Sequence, residues 1–230
     1  MFLFPPSGSG PSLFRQWLPY RPPGLEMVAV HAPGREDRFT EPAATDVAPL
    51  ADDIAAAIDR YADRPFVIFG HSAGALLGRE VAWRLRRRSR PVALLVAANS
   101  AAPDVVFANT LADADDATLL AAVRDWGATP DGLLSDDMLE AFLPCLRADM
   151  AVAQSCRRTK PPAPEDRLDI PIAALTGHDD PAAEMHSTSW SAWTSVASIT
   201  HVVPGGGHFL PFEQPEAVLE ILAREISRLG

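Results

Sequence analysis

The stretch Phe66-Val67-Ile68-Phe69-Gly70-His71-Ser72-Ala73-Gly74-Ala75-Leu76-Leu77 decides how the chain folds. Its first four residues are apolar and read as a buried strand. Gly70 to Gly74 spell G-x-S-x-G, and from Ala75 to about Arg87 the pattern turns helical. Strand, tight turn and helix, in that order, are the setting in which a serine is presented as a nucleophile. Glycines on either side lack a Cβ and so tolerate a strained backbone at Ser72. The hydroxyl is then expected above a sheet edge, at a helix start, where the Ala73 amide is free to donate to a developing oxyanion.

Working towards the N-terminus, a helix is expected from about Asp46 to Tyr61, with Val47, Leu50, Ile54 and Ile58 on one face. Arg35-Glu36-Asp37-Arg38 follows a Pro33-Gly34 break and reads as a solvated turn or a local ion-pair network. Leu25 to His31 reads as a strand, and Ser12 as the N-cap of a helix holding Leu13, Phe14, Trp17 and Leu18. Met1 to Phe4 is a short apolar strand that runs into a loop of prolines, glycines and serines, 5–11.

Towards the C-terminus, Arg84, Arg86, Arg87, Arg88 and Arg90 crowd the expected helix end, where cations complement the dipole. Val92 to Ala98 is a continuous apolar run, expected as a parallel strand buried on both faces. Residues 104–165 look helical with repeated breaks: a helix from Leu111 to Trp126, a break at Gly127 to Pro130, and a helix from Asp136 to about Arg158. A block of this length between strands is expected to be an insertion over the strand ends, a lid. Ile170 to Leu175 and Ile199 to Val203 resume the strands, with a poorly periodic short helix expected over Glu184 to Trp193 and an amphipathic one from Pro215 to Leu229. Alternating strands and helices imply an α/β fold, a mostly parallel central sheet flanked by helices, as a single domain over 1–230.

Bulk properties remove several function classes. Net charge is −10, which disfavours nucleic acid and anionic membrane as partners. No apolar run approaches the roughly 18 residues of a membrane span. MFLFPPSGSG lacks the basic start of a signal peptide, so a cytoplasmic protein is expected. Cys145 and Cys156 are the only cysteines and make neither a disulfide framework nor a zinc site. No pattern asks for a cofactor or metal.

A serine nucleophile needs a base and a group to orient it. His208 lies in the glycine-rich loop 204–208 after the last expected strand and is the candidate base. Asp179 and Asp180 both end the preceding strand, and Asp180, stiffened by Pro181, is the preferred acid. The order Ser, acid, His is that of α/β-hydrolases. The second oxyanion donor is expected from the loop between Pro5 and Gly10. His71 is expected to point away from Ser72 into packing, and His31 to border the site.

These segments together resemble the discrete type II thioesterases of polyketide and nonribosomal peptide biosynthesis, over essentially the whole chain. The carrying motifs are LFPPSGSGPSLFRQW, VAVHAPGREDRFTEP, FGHSAGALLGREVAWRLRR, LLSDDMLEAFLPCLRADMAVAQS and HVVPGGGHFLP. The resemblance implies an α/β-hydrolase fold with a helical lid. It implies Ser72 as nucleophile, His208 as base, Asp180 as acid, and the Ala73 and Ser7 amides as oxyanion donors. The implied partner is an acyl or peptidyl carrier protein whose phosphopantetheine arm holds a thioester, met by a monomeric enzyme. The sequence departs from the family pattern at Ser7, Ser9 and Pro6, and at Ala97-Ala98-Asn99-Ser100, where S-G-R-x is usual. A general carboxylesterase or acyltransferase of the same fold, or a non-catalytic module that binds an acylated carrier, are the alternatives.

Overall fold

The computed structural model of the protein describes residues 1–90, 92–105, 114–125 and 136–229, with side chains left out at 124–125 and 136–141. Six strands form one sheet: β1 (Phe2–Phe4), β2 (Val28–Ala29), β3 (Phe66–His71), β4 (Val92–Ala98), β5 (Ile172–Gly177) and β6 (Ser198–Val203). They lie in the order β2-β1-β3-β4-β5-β6, and every neighbouring pair is parallel. All strands therefore end on the same edge of the sheet, and ligand sites of such sheets form beyond that edge.

Alternation along β3 and β4 divides the core in two. Phe66, Ile68, Leu95 and Ala97 face one layer, shared with α1 (Val47–Tyr61) and α2 (Ala73–Arg87). Val67, Phe69, Leu94 and Val96 face the other, where Trp17 and the C-terminal helix α7 (Pro215–Ser227) cover the sheet. Both faces of the central strands are buried, which is why they read as unbroken apolar runs.

The connection from β4 to β5 carries α3 (Asp116–Asp125) and α4 (Asp136–Ser155), whose Leu119, Val123, Leu143 and Leu146 make a small core of their own. The expected start at Leu111 and the break from Trp126 to Pro130 lie outside the described residues. Beyond β5 come α5 (Ala183–Thr188) and, after β6, the single turn α6 (Leu210–Glu213). Among the described residues no helix is long and apolar enough to cross a membrane.

Local signals set most boundaries. Asp46 caps α1, its carboxylate accepting from the Ala48 amide at 2.8 Å. Two expectations need correction. The first helical segment is a 3-10 helix, Pro11–Tyr20, capped from Gly10 rather than Ser12, because Pro11 suits a first helical position and lacks an amide to satisfy. Ser12 instead donates its hydroxyl to Glu36 at 2.6 Å. The strand expected over Leu25 to His31 shrinks to Val28–Ala29, since only that part reaches β1 at the sheet edge.

Candidate active site

The turn between β3 and α2 holds Ser72 at φ 53°, ψ −123°, a conformation that costs a side-chain-bearing residue energy. Surrounding backbone enforces it. A Cβ at Gly74 would collide with the carbonyl oxygens of Phe4 and Pro5, and one at Gly70 with the backbone of Gly74 and Ala75. Glycine at both positions lets β1, the turn and α2 pack in contact, and the serine between them is lifted above the sheet.

Loops at the ends of β6 and β5 meet it there. His208 Nε2 lies 3.2 Å from Ser72 Oγ, and His208 Nδ1 lies 3.0 Å from Asp180 Oδ2. Asp180 Oδ1 accepts from the Ala182 amide at 2.9 Å. Burial alone would raise the Asp180 carboxyl. The polar groups of His186, His208, Ala182 and Asn99 outweigh burial and hold it well below the usual carboxylate range. An ionised Asp180 only accepts, so the His208 proton resides on Nδ1 and Nε2 is left to accept from the serine. Asp179, the alternative acid, is exposed and pairs with His178 at 2.9 Å, away from this group.

Asn99 was not singled out for this site from the sequence. It directly follows β4 at φ 46°, is 1% exposed, and donates to Asp180 Oδ2 at 2.8 Å and to the Gly207 carbonyl at 3.1 Å. It thus ties the acid to the histidine loop. The sequence signal was an asparagine at a strand end where the resembling family has S-G-R-x, and asparagine is the residue that tolerates a positive φ there.

His71 does point into packing, as expected, but it also supports the site. It is fully buried, and Nε2 donates to the His208 carbonyl at 2.8 Å. Burial and the neighbouring His208 push its pKa down to about 3, so the ring is neutral. His31 Nε2 lies 3.0 Å from the Arg35 carbonyl and does not line the cavity beside Ser7 and Ala73.

The expected oxyanion residues Ser7 and Ala73 line one small cavity together with Phe4, Pro5 and Gly74. Its volume is about 30 Å³. Arg35 and Asp149 border it as well, which corrects the reading of the charge cluster as a solvated turn or local network. Arg38 and Glu41 do form a local exposed pair. Arg35, however, is 7% exposed and reaches α4. The reason lies in tertiary packing: α4 crosses above the cluster and supplies the carboxylate. Asp149 also accepts from the Gly8 amide at 2.7 Å, so α4 touches the loop that follows β1. A larger cavity, about 210 Å³, is lined by Arg86, Arg90 and Asp169 at the opposite end of the sheet and meets none of these residues.

Known proteins resemble the chain over nearly its whole length. Residues 1–226 match the family model described as a thioesterase domain. The probable cadicidin biosynthesis thioesterase of Streptomyces griseus is 33% identical over 90% of this chain, which spans 57% of that protein's length. The solved RedJ thioesterase from the prodiginine pathway of Streptomyces coelicolor is 33% identical, with a TM-score of 0.86 over 97% of this chain and 89% of that one. The type II thioesterase BorB from the borrelidin cluster is 29% identical, with a TM-score of 0.84 over 97% of this chain and 90% of that one. Matched from its first residue to residue 226, the chain belongs to the thioesterase domain family.

Proposed function

We propose that the protein hydrolyses acyl thioesters held on the phosphopantetheine arm of acyl or peptidyl carrier proteins, and so clears aberrant groups in polyketide or nonribosomal peptide biosynthesis. The observation that carries this reading is the continuous hydrogen-bonded line from Ser72 through His208 to Asp180, in a chain of the thioesterase family.

His208 Nε2 takes the serine proton as Ser72 Oγ attacks the thioester carbonyl. Asp180 holds the imidazole tautomer and stabilises the imidazolium without taking the proton. The Ala73 and Ser7 amides hold the oxyanion, each worth roughly 3 kcal/mol in related chemistry. Collapse expels the pantetheine thiol, which leaves with the proton from His208. Water, deprotonated by His208, then hydrolyses the acyl-serine and regenerates the free hydroxyl.

The insertion over 104–165 acts as a lid. The cavity beside Ser7 and Ala73 is bordered on one side by Asp149 and Val152 of α4, which places this helix next to the path of an incoming acyl chain. Relatives named for biosynthetic pathways, such as the probable cadicidin biosynthesis thioesterase, support a substrate held on a carrier protein.

The test is hydrolysis of an acyl panel, each group offered on a holo carrier protein and as an N-acetylcysteamine thioester, read by mass spectrometry of the carrier. Faster release from the carrier is expected. Equal rates on carrier, mimic and simple esters would replace this reading with a general carboxylesterase. Failure of a fluorophosphonate to label Ser72 would favour a non-catalytic carrier-binding module.

A further inference from the structure

Asp180 stands between two histidines, and only one of them faces Ser72. His186, on α5, is 4% exposed, and its Nδ1 lies 3.2 Å from Asp180 Oδ2. That oxygen already accepts from Asn99 at 2.8 Å and from His208 at 3.0 Å, which occupies its two lone pairs. His186 Nδ1 is left buried and close to the carboxylate, but not aligned for a proper hydrogen bond with it. Such an orphaned nitrogen is costly in a folded interior and calls for an explanation.

The three groups meet the requirements of a metal site. Asp180, His186 and His208 each offer one ligand atom, and these atoms all lie within 4.8 Å of one another. Two edges of that triangle, 3.0 Å and 3.2 Å, approach the roughly 3.3 Å between ligands of a tetrahedral zinc with bonds of about 2.0–2.1 Å. Two imidazoles and a carboxylate suit zinc and leave a fourth position for water. Asn99, hydrogen-bonded to the carboxylate, would fix its orientation as an outer partner.

We propose that Asp180, His186 and His208 form a binding site for a divalent transition-metal ion, zinc foremost, whose occupation switches the active site off. The ion takes the lone pair at His208 Nδ1, and the proton of the neutral imidazole moves to Nε2. Nε2 then carries a hydrogen where it must accept one from Ser72, so the base is lost. His186 ligates through Nδ1 and keeps its proton on Nε2. Two neutral imidazoles and one carboxylate binding the ion in this way release no proton. The ion sits on the Asp180 side of the His208 ring, remote from Ser72 Oγ, so it inhibits rather than activates a substrate.

Zinc chloride titrated into the full-length protein in thiol-free, non-chelating buffer tests this, with calorimetry for binding and p-nitrophenyl ester hydrolysis for activity. One zinc per chain is expected, with hydrolysis lost at saturation and recovered on adding EDTA. His186→Phe should raise the half-inhibiting zinc concentration at least about tenfold, each variant being compared with its own zinc-free rate. His178→Ala, which alters the exposed His178–Asp179 pair, should keep the wild-type value. His186→Gln serves the same comparison if the phenylalanine variant does not fold. Equal zinc sensitivity of wild type and the His186 variant overturns the proposal, as does a wild type that binds no zinc. Calorimetry counts zinc whatever the substrate, so a failure of the thioesterase reading leaves this site separately decided.

Discussion

Arg35 and Asp149, 114 residues apart, form a bidentate ion pair in which each guanidinium amine lies 2.8 Å from one carboxylate oxygen. The pair joins the segment after β2 to α4 and is almost wholly shielded from water. Through it α4 also holds the Gly8 amide, next to Ser7. Asp149→Ala strands a buried guanidinium and should cost about 3–5 kcal/mol of stability by chemical denaturation. The double change Arg35→Met with Asp149→Leu should recover most of that loss, because neither charge remains. Its kcat should stay down by about tenfold or more, since the Gly8 loop has lost its anchor beside the oxyanion donors. Recovery of both stability and rate would make the pair purely structural.

Asn99 governs the acid. Its two donated hydrogen bonds hold Asp180 Oδ2 and the Gly207 carbonyl in one geometry. A hydrogen bond to a charged group is worth about 1.5–3 kcal/mol, so Asn99→Ala should lower kcat/KM by about 10- to 100-fold. Asn99→Asp should be worse, because it removes the donor and sets a second carboxylate against Asp180. Steady-state kinetics on one thioester, with circular dichroism to establish folding, decide the matter. An Asn99→Asp rate close to wild type would remove Asn99 from any part in orienting the acid.

What could be read from the sequence depended on how local its cause was. The runs at β3 and β4, the cap at Asp46 and the strained turn at Ser72 are encoded within a few residues, and they appear where the pattern puts them. Ser72, His208 and Asp180 were legible because each sits at a strand end on one edge of a parallel sheet. Asn99 was passed over because its meaning depends on a carboxylate 81 residues away. Arg35 looked like part of a solvated charge cluster because the helix that covers it is contributed by a distant segment. His186 lies in a poorly periodic stretch, and nothing local shows that its ring turns towards Asp180. The boundary at Ser12 was misread because two capping signals, Pro11 and Ser12, compete within one turn.

Backbone strain at Ser72 predicts a stability difference between two inactive variants. A side-chain-bearing residue at φ 53°, ψ −123° costs about 1–3 kcal/mol, whereas glycine adopts such values freely. Ser72→Ala keeps the strain and should unfold near the wild-type midpoint. Ser72→Gly should exceed Ser72→Ala by about 1 kcal/mol, less than the full strain because glycine also gains entropy when unfolded. Both should release no acyl groups above background. Paired urea titrations measure the difference, and identical midpoints would mean that the turn stores no strain. Near-native hydrolysis by Ser72→Ala would end the acyl-serine mechanism.

Acid should expose the role of His71. Its pKa falls from 6.5 to about 3 in the folded chain, chiefly through burial and then through His208. Nε2 is engaged with the His208 carbonyl, and the buried Nδ1 has no acceptor for a second proton. Above pH 6.5 the ring is neutral both folded and unfolded and has no effect on the pH slope. Below pH 6.5 the unfolded chain binds a proton that the folded chain refuses, so stability falls as pH falls, down to about pH 3. The slope from this one group cannot exceed about 1.4 kcal/mol per pH unit. Asp180, held below its ordinary value, adds a loss in the same direction only once the pH drops below 3.8. Between pH 6.5 and 4.5 the difference between wild type and His71→Phe therefore isolates the histidine. The variant forfeits the hydrogen bond to the His208 loop and should be less stable than wild type at pH 7. Its stability should then decline less steeply on acidification, so that the two curves converge towards pH 4.5. Urea unfolding at half-unit steps of pH measures both slopes, and parallel curves would mean that His71 accepts its proton without unfolding the site.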